Sequence, residues 1–192
     1  MQEKRTNAQR RDETRAALIA AARDLFLEQG YAATGTPDVV ARAGVTRGAL
    51  YHHFADKQAL FHAVVADEAA QIAAAIRAGS PGGSDAVTAL LDGASAYFAA
   101  MRIPGRTRLM LLEGPAVLGP QAMRGIDAET GGGTLREGIG DALGLAVSTE
   151  AVAAIADLVS AMFDRAVLAV SNGADERIYQ DAIARLLMLL VR

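Results

Sequence analysis

The chain has 192 residues, 52% hydrophobic and 21% charged, so it can bury a sizeable core and is not globally disordered. It contains no cysteine, which excludes disulfides and thiolate metal sites. The net charge of −3 is unevenly held: residues 1–57 carry nine Lys/Arg against seven Asp/Glu and the remainder ten against fifteen, so a mildly basic head, suited to meeting phosphate, precedes an acidic body.

Abundant alanine, with glycine and proline confined to a few places, favours helix over strand. No apolar run has the length expected of a membrane span, and Met1–Asp12 lacks a signal-peptide core, so a soluble cytoplasmic protein is expected. Residues 1–11 read as a flexible basic arm. A first helix is expected from Asp12 to about Gln29, where Ala17, Leu18, Ala21, Leu25 and Phe26 recur at helical spacing; Gly30 follows as the residue beyond its end.

In Thr34-Gly35-Thr36-Pro37, Thr36 reads as a cap and Pro37 as a first helical residue, starting a short helix to about Ala43 that Gly44 ends. Thr46 caps a second short helix, Arg47 to about His53. Asp56 then caps a long helix to about Ala78, roughly 35 Å at ~1.5 Å per residue and able to link two lobes. Gly79 to Ser84 is a turn-rich linker. Further helices are expected at about 85–101, 105–113, 119–130, 134–144 and 148–171, and from Asp175 to the C-terminus. The predicted fold is all-α, with an N-terminal three-helix helix-turn-helix domain over 12–72 and a C-terminal helical domain for ligand binding and dimerisation over 79–192.

The functional signal lies in Thr34 to Lys57, TGTPDVVARAGVTRGALYHHFADK. Two short helices flank a glycine turn, and Val39, Val40, Ala43, Val45, Leu50 and Phe54 supply an apolar face to pack them on the first helix. This is the layout of a helix-turn-helix, whose second helix enters the major groove with its N-terminal residues foremost. Thr46 can offer a hydroxyl to phosphate beside the free N–H groups of that helix start. Arg47 can reach a guanine edge or a phosphate, and Gly48 and Ala49 permit close approach to bases. Tyr51 and His52 can donate to phosphate oxygens, and Lys57 adds charge near the backbone.

The segment from about Arg11 to Ala69 resembles the TetR/AcrR family of bacterial transcriptional regulators. The resemblance rests on Ala21-Ala-Arg-Asp-Leu-Phe26, Gly30-Tyr31, Ala33-Thr34, Ala43-Gly44-Val45-Thr46, Gly48-Ala49-Leu50-Tyr51-His52-His53-Phe54, Lys57 and Leu60-Phe61, at their mutual spacing. It implies a homodimer that reads a palindromic double-stranded operator. It implies phosphate contacts from Tyr51, Lys57 and often Thr34, and a base-reading surface around Arg47, Gly48, Ala49 and His52. The chain departs from the family at Gly35, where Ser or Thr is usual and which moves the expected cap to Thr36, and at Val40, which replaces a usual Ala.

In the body, the 149–171 helix is apolar almost all round and the final helix is amphipathic. Ile155, Val159 and Met162, with Tyr179, Ile183, Leu186 and Leu190, are expected at an intermolecular four-helix bundle. Phe98, Met101, Met110, Leu111, Val117 and Phe163 are candidates to line a pocket for a small hydrophobic effector, methionine suiting adaptable apolar cavities. Glu113-Gly-Pro-Ala-Val-Leu-Gly-Pro120 breaks helical regularity in mid-domain.

No cofactor, metal or catalytic site is expected. Adjacent His52 and His53 point about 100° apart on a helix. Gly131-Gly-Gly133 and Gly138-Ile-Gly140 lack the lysine and preceding strand of a phosphate loop and read as punctuation. The expected function is a ligand-released repressor; the rival reading is a helical carrier of hydrophobic ligands, or an enzyme, with a vestigial helix-turn-helix.

Overall fold

A computed structural model describes residues 6–80, 85–130, 132–144 and 147–190. The first part of the expected arm, most of the 79–84 linker, Gly131 and the last two residues lie outside them. Among the described residues all regular structure is helical.

Helix α1 (Asn7–Ala33) starts five residues earlier than expected, so residues 7–11 are helical and not a flexible arm. Its start is fixed by Thr6, whose Oγ1 accepts from Gln9 N at 3.2 Å while Gln9 Oε1 accepts from Thr6 N at 2.7 Å. This reciprocal capping pattern satisfies two donors that a helix start leaves free. Gly30, at φ 85° and ψ 168°, breaks the helix and turns its last residues aside.

Helix α2 (Thr36–Ala43) is capped by Gly35 and not by the expected Thr36. The carboxylate of Asp38 accepts from Gly35 N at 3.3 Å, which leaves the Thr36 hydroxyl free of capping work. Gly44 closes α2 in the left-handed conformation. Helix α3 (Arg47–His53) follows its Thr46 cap, and α4 (Lys57–Gly79) follows its Asp56 cap.

The head core is built where α1, α2, α3 and α4 converge. Leu18, Ala22 and Phe26 of α1 meet Val39, Leu50, Leu60, Phe61 and Val64, all withdrawn from solvent. Phe26 and Phe61 pack edge to face with centroids 5.1 Å apart. By length and composition α4 matches a membrane span, contrary to the sequence expectation; its Leu60, Phe61, Val64, Val65 and Ile72 are instead buried in this core.

Beyond α4 come α5 (Ala86–Met101), α6 (Arg106–Arg108), a π-helical turn (Leu109–Glu113) and α7 (Gly114–Leu118). A plain α-helix was expected at 105–113. Pro115 has no N–H to give the carbonyl four residues back, and Gly114 N donates to Leu109 O, five residues back. Helices α8 (Pro120–Thr130), α9 (Gly132–Leu143), α10 (Thr149–Ser171) and α11 (Glu176–Leu190) complete the body. Leu109, Ile126, Ile139, Val152, Phe163, Val167, Ile183 and Leu187 form its core, continuous with that of the head along α4 and α5.

Candidate nucleic-acid interface

Helix α3 divides cleanly. Leu50 is fully buried against the head, whereas Thr46, Arg47, Gly48, Tyr51 and His52 are exposed and Ala49 is half-buried. The threonine Oγ1 accepts from Ala49 N at 3.2 Å, so the helix start is fixed before any ligand arrives. Four residues apart on the helix, Arg47 and Tyr51 are neighbours, with the guanidinium 5.5 Å from the ring centroid. Hydrogen bonds with Thr36 and then Arg47 hold the Tyr51 phenol below its ordinary pKa. Half-buried Thr36 and exposed Arg47 and Tyr51 thus form one polar group spanning the start of α2 and α3.

Two sequence candidates sit differently. Thr34 is only 1% exposed; its hydroxyl donates to Gly30 O at 2.8 Å and accepts from Gln29 Nε2 at 3.3 Å. It therefore holds the broken end of α1 and is withdrawn from the contact surface. Lys57 is half-buried, and its Nζ donates to Tyr31 O at 2.9 Å and Thr34 O at 3.1 Å while lying 4.1 Å from the Tyr31 ring centroid. Two of its three protons are committed to the α1–α2 turn, and one remains for an outside acceptor.

The sequence reading missed the cationic group on the other flank of α3. Arg11 and Arg15 of α1 lie near enough to His53 to lower its pKa, after the larger effect of burial and that of His52. Arg15 also lies 5.2 Å over the Phe54 ring. The signal was present: Thr6-x-x-Gln9 is a capping box, and it places Arg10 and Arg11 on a helix.

In the body, Phe98, Met101, Met110 and Phe163 are all buried in the common core, with Leu111 and Val117 half-buried around it. None of them lines either of two open clefts, of about 590 and 440 Å³, which run between α1 and α4 past Arg15, Ile19 and Asp67. Beside Phe163 stands a polar pair: Tyr97 Oη donates to Asp164 Oδ1 at 2.6 Å. Burial, opposed by that hydrogen bond and aided by Asp127, pushes the Asp164 carboxyl up.

Of the expected dimerisation residues, Leu186 is 53% exposed, Ile155, Met162, Tyr179 and Leu190 are half-buried, and Val159 and Ile183 point into the protomer's own core. The large apolar side chains left uncovered on α10 and α11 are Leu158 at 69%, Ile178 at 66%, Leu189 at 64% and Met188 at 43%, besides Leu186. One-sided periodicity in the sequence does not separate the inner from the outer edge of so broad an apolar face.

Residues 18–64 match the profile of bacterial regulatory proteins of the tetR family, and residues 87–192 that of the tetracyclin repressor-like C-terminal domain. A TetR-family transcriptional regulator from Pectobacterium atrosepticum has a similar structure, with TM-score 0.71 and 32% identity over 98% of this chain and 96% of that one. The fatty acid degradation regulator FadR from Bacillus halodurans shares the fold at TM-score 0.73 and 15% identity, covering 96% of each chain. Among curated relatives, the transcriptional activator FasR of Mycolicibacterium smegmatis is 28% identical over 66% of this chain and 58% of its own length. The transcriptional repressor BepR of Brucella suis is 43% identical over 28% of this chain, and the match spans only 25% of its length. With an exposed recognition helix on a buried three-helix head, and with head and body both matched, the chain belongs to the TetR family of DNA-binding transcriptional regulators.

Proposed function

We propose that the chain represses transcription as a homodimer on a palindromic operator and leaves the DNA when a small hydrophobic effector binds its body. The reading takes residues 12–72 as the DNA-binding unit and 79–192 as the effector-binding and dimerisation unit, in the cytoplasm. The observation that carries it is the exposed tip of α3, where Arg47, Gly48 and His52 face outward over the buried Leu50. Gly48 and Ala49 let that tip approach base edges, Arg47 can read guanine, and Tyr51, Thr36, Thr46 and the free proton of Lys57 meet phosphates.

One α3 reads one half-site. A two-fold partner supplies the second, about 34–36 Å away, and the exposed leucines of α10 and α11 are where it docks. Release follows from population shift: an effector that favours another arrangement of α4 changes the separation of the two α3 tips, by no more than its differential affinity permits. Repression is supported by the repressors among the curated relatives, such as BepR.

Selection of bound duplexes from a random library tests this. Enrichment of an inverted repeat, with expression rising from a reporter on its removal, is expected. Sequence-indifferent binding with a steep salt dependence refutes operator recognition, and a reporter that falls silent instead refutes repression.

A further inference from the structure

Glu68 lies on α4 with no solvent exposure. Its Oε1 accepts from Arg23 Nε of α1, and its Oε2 accepts from Arg106 Nε of α6. Arg106, itself 3% exposed, also donates from Nη1 to Ala100 O of α5 at 2.8 Å and from Nη2 to Gln71 Oε1 at 3.1 Å. The head's α1, the linking α4 and the body's α5 and α6 therefore meet at one buried carboxylate.

Such a cluster is a poor device for stability. Removing two charges from water, and most of a third at Arg23, costs about as much as their attraction returns, and apolar replacements of similar volume are often neutral or stabilising. What it supplies is geometry, because a planar guanidinium bonds a carboxylate in few orientations. A second seam shares the register. Arg108 Nη2 donates to Phe26 O at 2.9 Å and Leu27 O at 3.0 Å, and Glu113 Oε2 accepts from Tyr31 N at 3.0 Å, all backbone groups at the end of α1. Gly105 lies so close to Leu27 O that a Cβ there would overlap it. The body thus holds α1 at defined points along one side.

We propose that Glu68 is a positioning residue for operator recognition: by joining Arg23 to Arg106 it fixes the angle of the helix-turn-helix on the body, and hence the separation of the two α3 tips. This rests on the two-headed operator reading above. Glu68 touches no DNA; it acts through α1, on which α3 is packed, and through α4, which carries Glu68 itself.

The absence of native cysteine makes the angle measurable. Spin labels at Ala41→Cys on α2 and Ser95→Cys on α5, both exposed positions, report the head-to-body distance within one chain when labelled protein is diluted with unlabelled. The test compares the parent with Glu68→Gln and with Arg23→Met/Glu68→Leu/Arg106→Met, chosen to refill the site with apolar volume. The triple variant is expected to melt at or above the parent's temperature, yet to show a distance distribution about twice as broad, with Glu68→Gln between. Its preference for the selected operator over one lengthened by a base pair between half-sites should fall from about tenfold to about twofold.

A folded triple variant with the parent's narrow distribution and spacing preference overturns the proposal. Should the triple variant fail to fold, Glu68→Gln alone decides, and an unchanged width in it overturns the proposal equally. A parent indifferent to spacing would refute the two-headed reading instead, while broadening of the distances would still uphold the role of Glu68 in setting the angle.

Discussion

Replacing Leu186 and Leu189 on α11 by glutamate should abolish the proposed dimer without unfolding the chain. These side chains are 53% and 64% exposed in the isolated protomer, so neither is needed by its own core. Complete burial of a leucine is worth about 1.5–3 kcal/mol, and these two have a little over half of that still to gain, or about 1–1.5 kcal/mol each. A two-fold interface counts each twice, giving about 4–6 kcal/mol and a dissociation constant weakened about a thousandfold to twenty-thousandfold, before any cost of burying four carboxylates. Light scattering after size exclusion reads the result directly: the parent should run at twice the mass of the chain and the variant at the mass of one. Operator affinity should fall in parallel, with helical circular dichroism and melting little changed. A variant that remains dimeric at the parent's concentration refutes the placement of the interface on this face.

Three further outcomes are expected. Arg47→Ala should change base preference at defined operator positions by about 1–3 kcal/mol, read by competition among single-substitution duplexes; a uniform loss across sequences would make Arg47 a phosphate contact. His53, whose pKa is lowered by burial and then by His52, Arg11 and Arg15, binds protons less readily in the folded chain than in the unfolded one. Its contribution is therefore intact above about 6.5 and is lost as pH falls below that value, so His53→Gln should flatten this limb of the melting-temperature profile; an unaltered limb refutes the assignment. Asp164, raised chiefly by burial, is the opposite case: its charged form is disfavoured in the fold, and stability declines as pH rises past the ordinary carboxylate range. Asp164→Asn, which keeps an acceptor for the Tyr97 hydroxyl, should raise the melting temperature at neutral pH, and a lowered one would show that the charge is needed there.

The head was legible because its signals are local. Thr46 and Asp56 announced their helices as caps, Gly44 marked the turn, and the apolar positions from Val39 to Phe54 spelled out a packed pair. The errors arose where a side chain serves the backbone across distance. Thr34 was read as facing DNA and Lys57 as serving DNA alone, yet Gly30 breaks α1 so that its end takes the Thr34 hydroxyl and two of the three Lys57 ammonium protons. The role of Glu68 leaves no local mark in the sequence, since its partners stand 45 and 38 positions away in the chain. The π turn was hidden for a related reason: Pro115 betrays a missing donor, but not that Gly114 N would bond Leu109 O five residues back. Body helices were placed well by periodicity, whereas the division of α10 and α11 into inner and outer edges required the packed neighbours.

A hydroxyl-radical source tethered to a cysteine at Ala55, an exposed position just beyond α3, tests the central claim most directly. No other thiol competes for it. On the selected operator, two clusters of strand cleavage are predicted, related by the two-fold axis and centred about 10–10.5 base pairs or a multiple of that apart. Cleavage spread evenly along the duplex, or confined to a single cluster at saturating protein, would contradict the account.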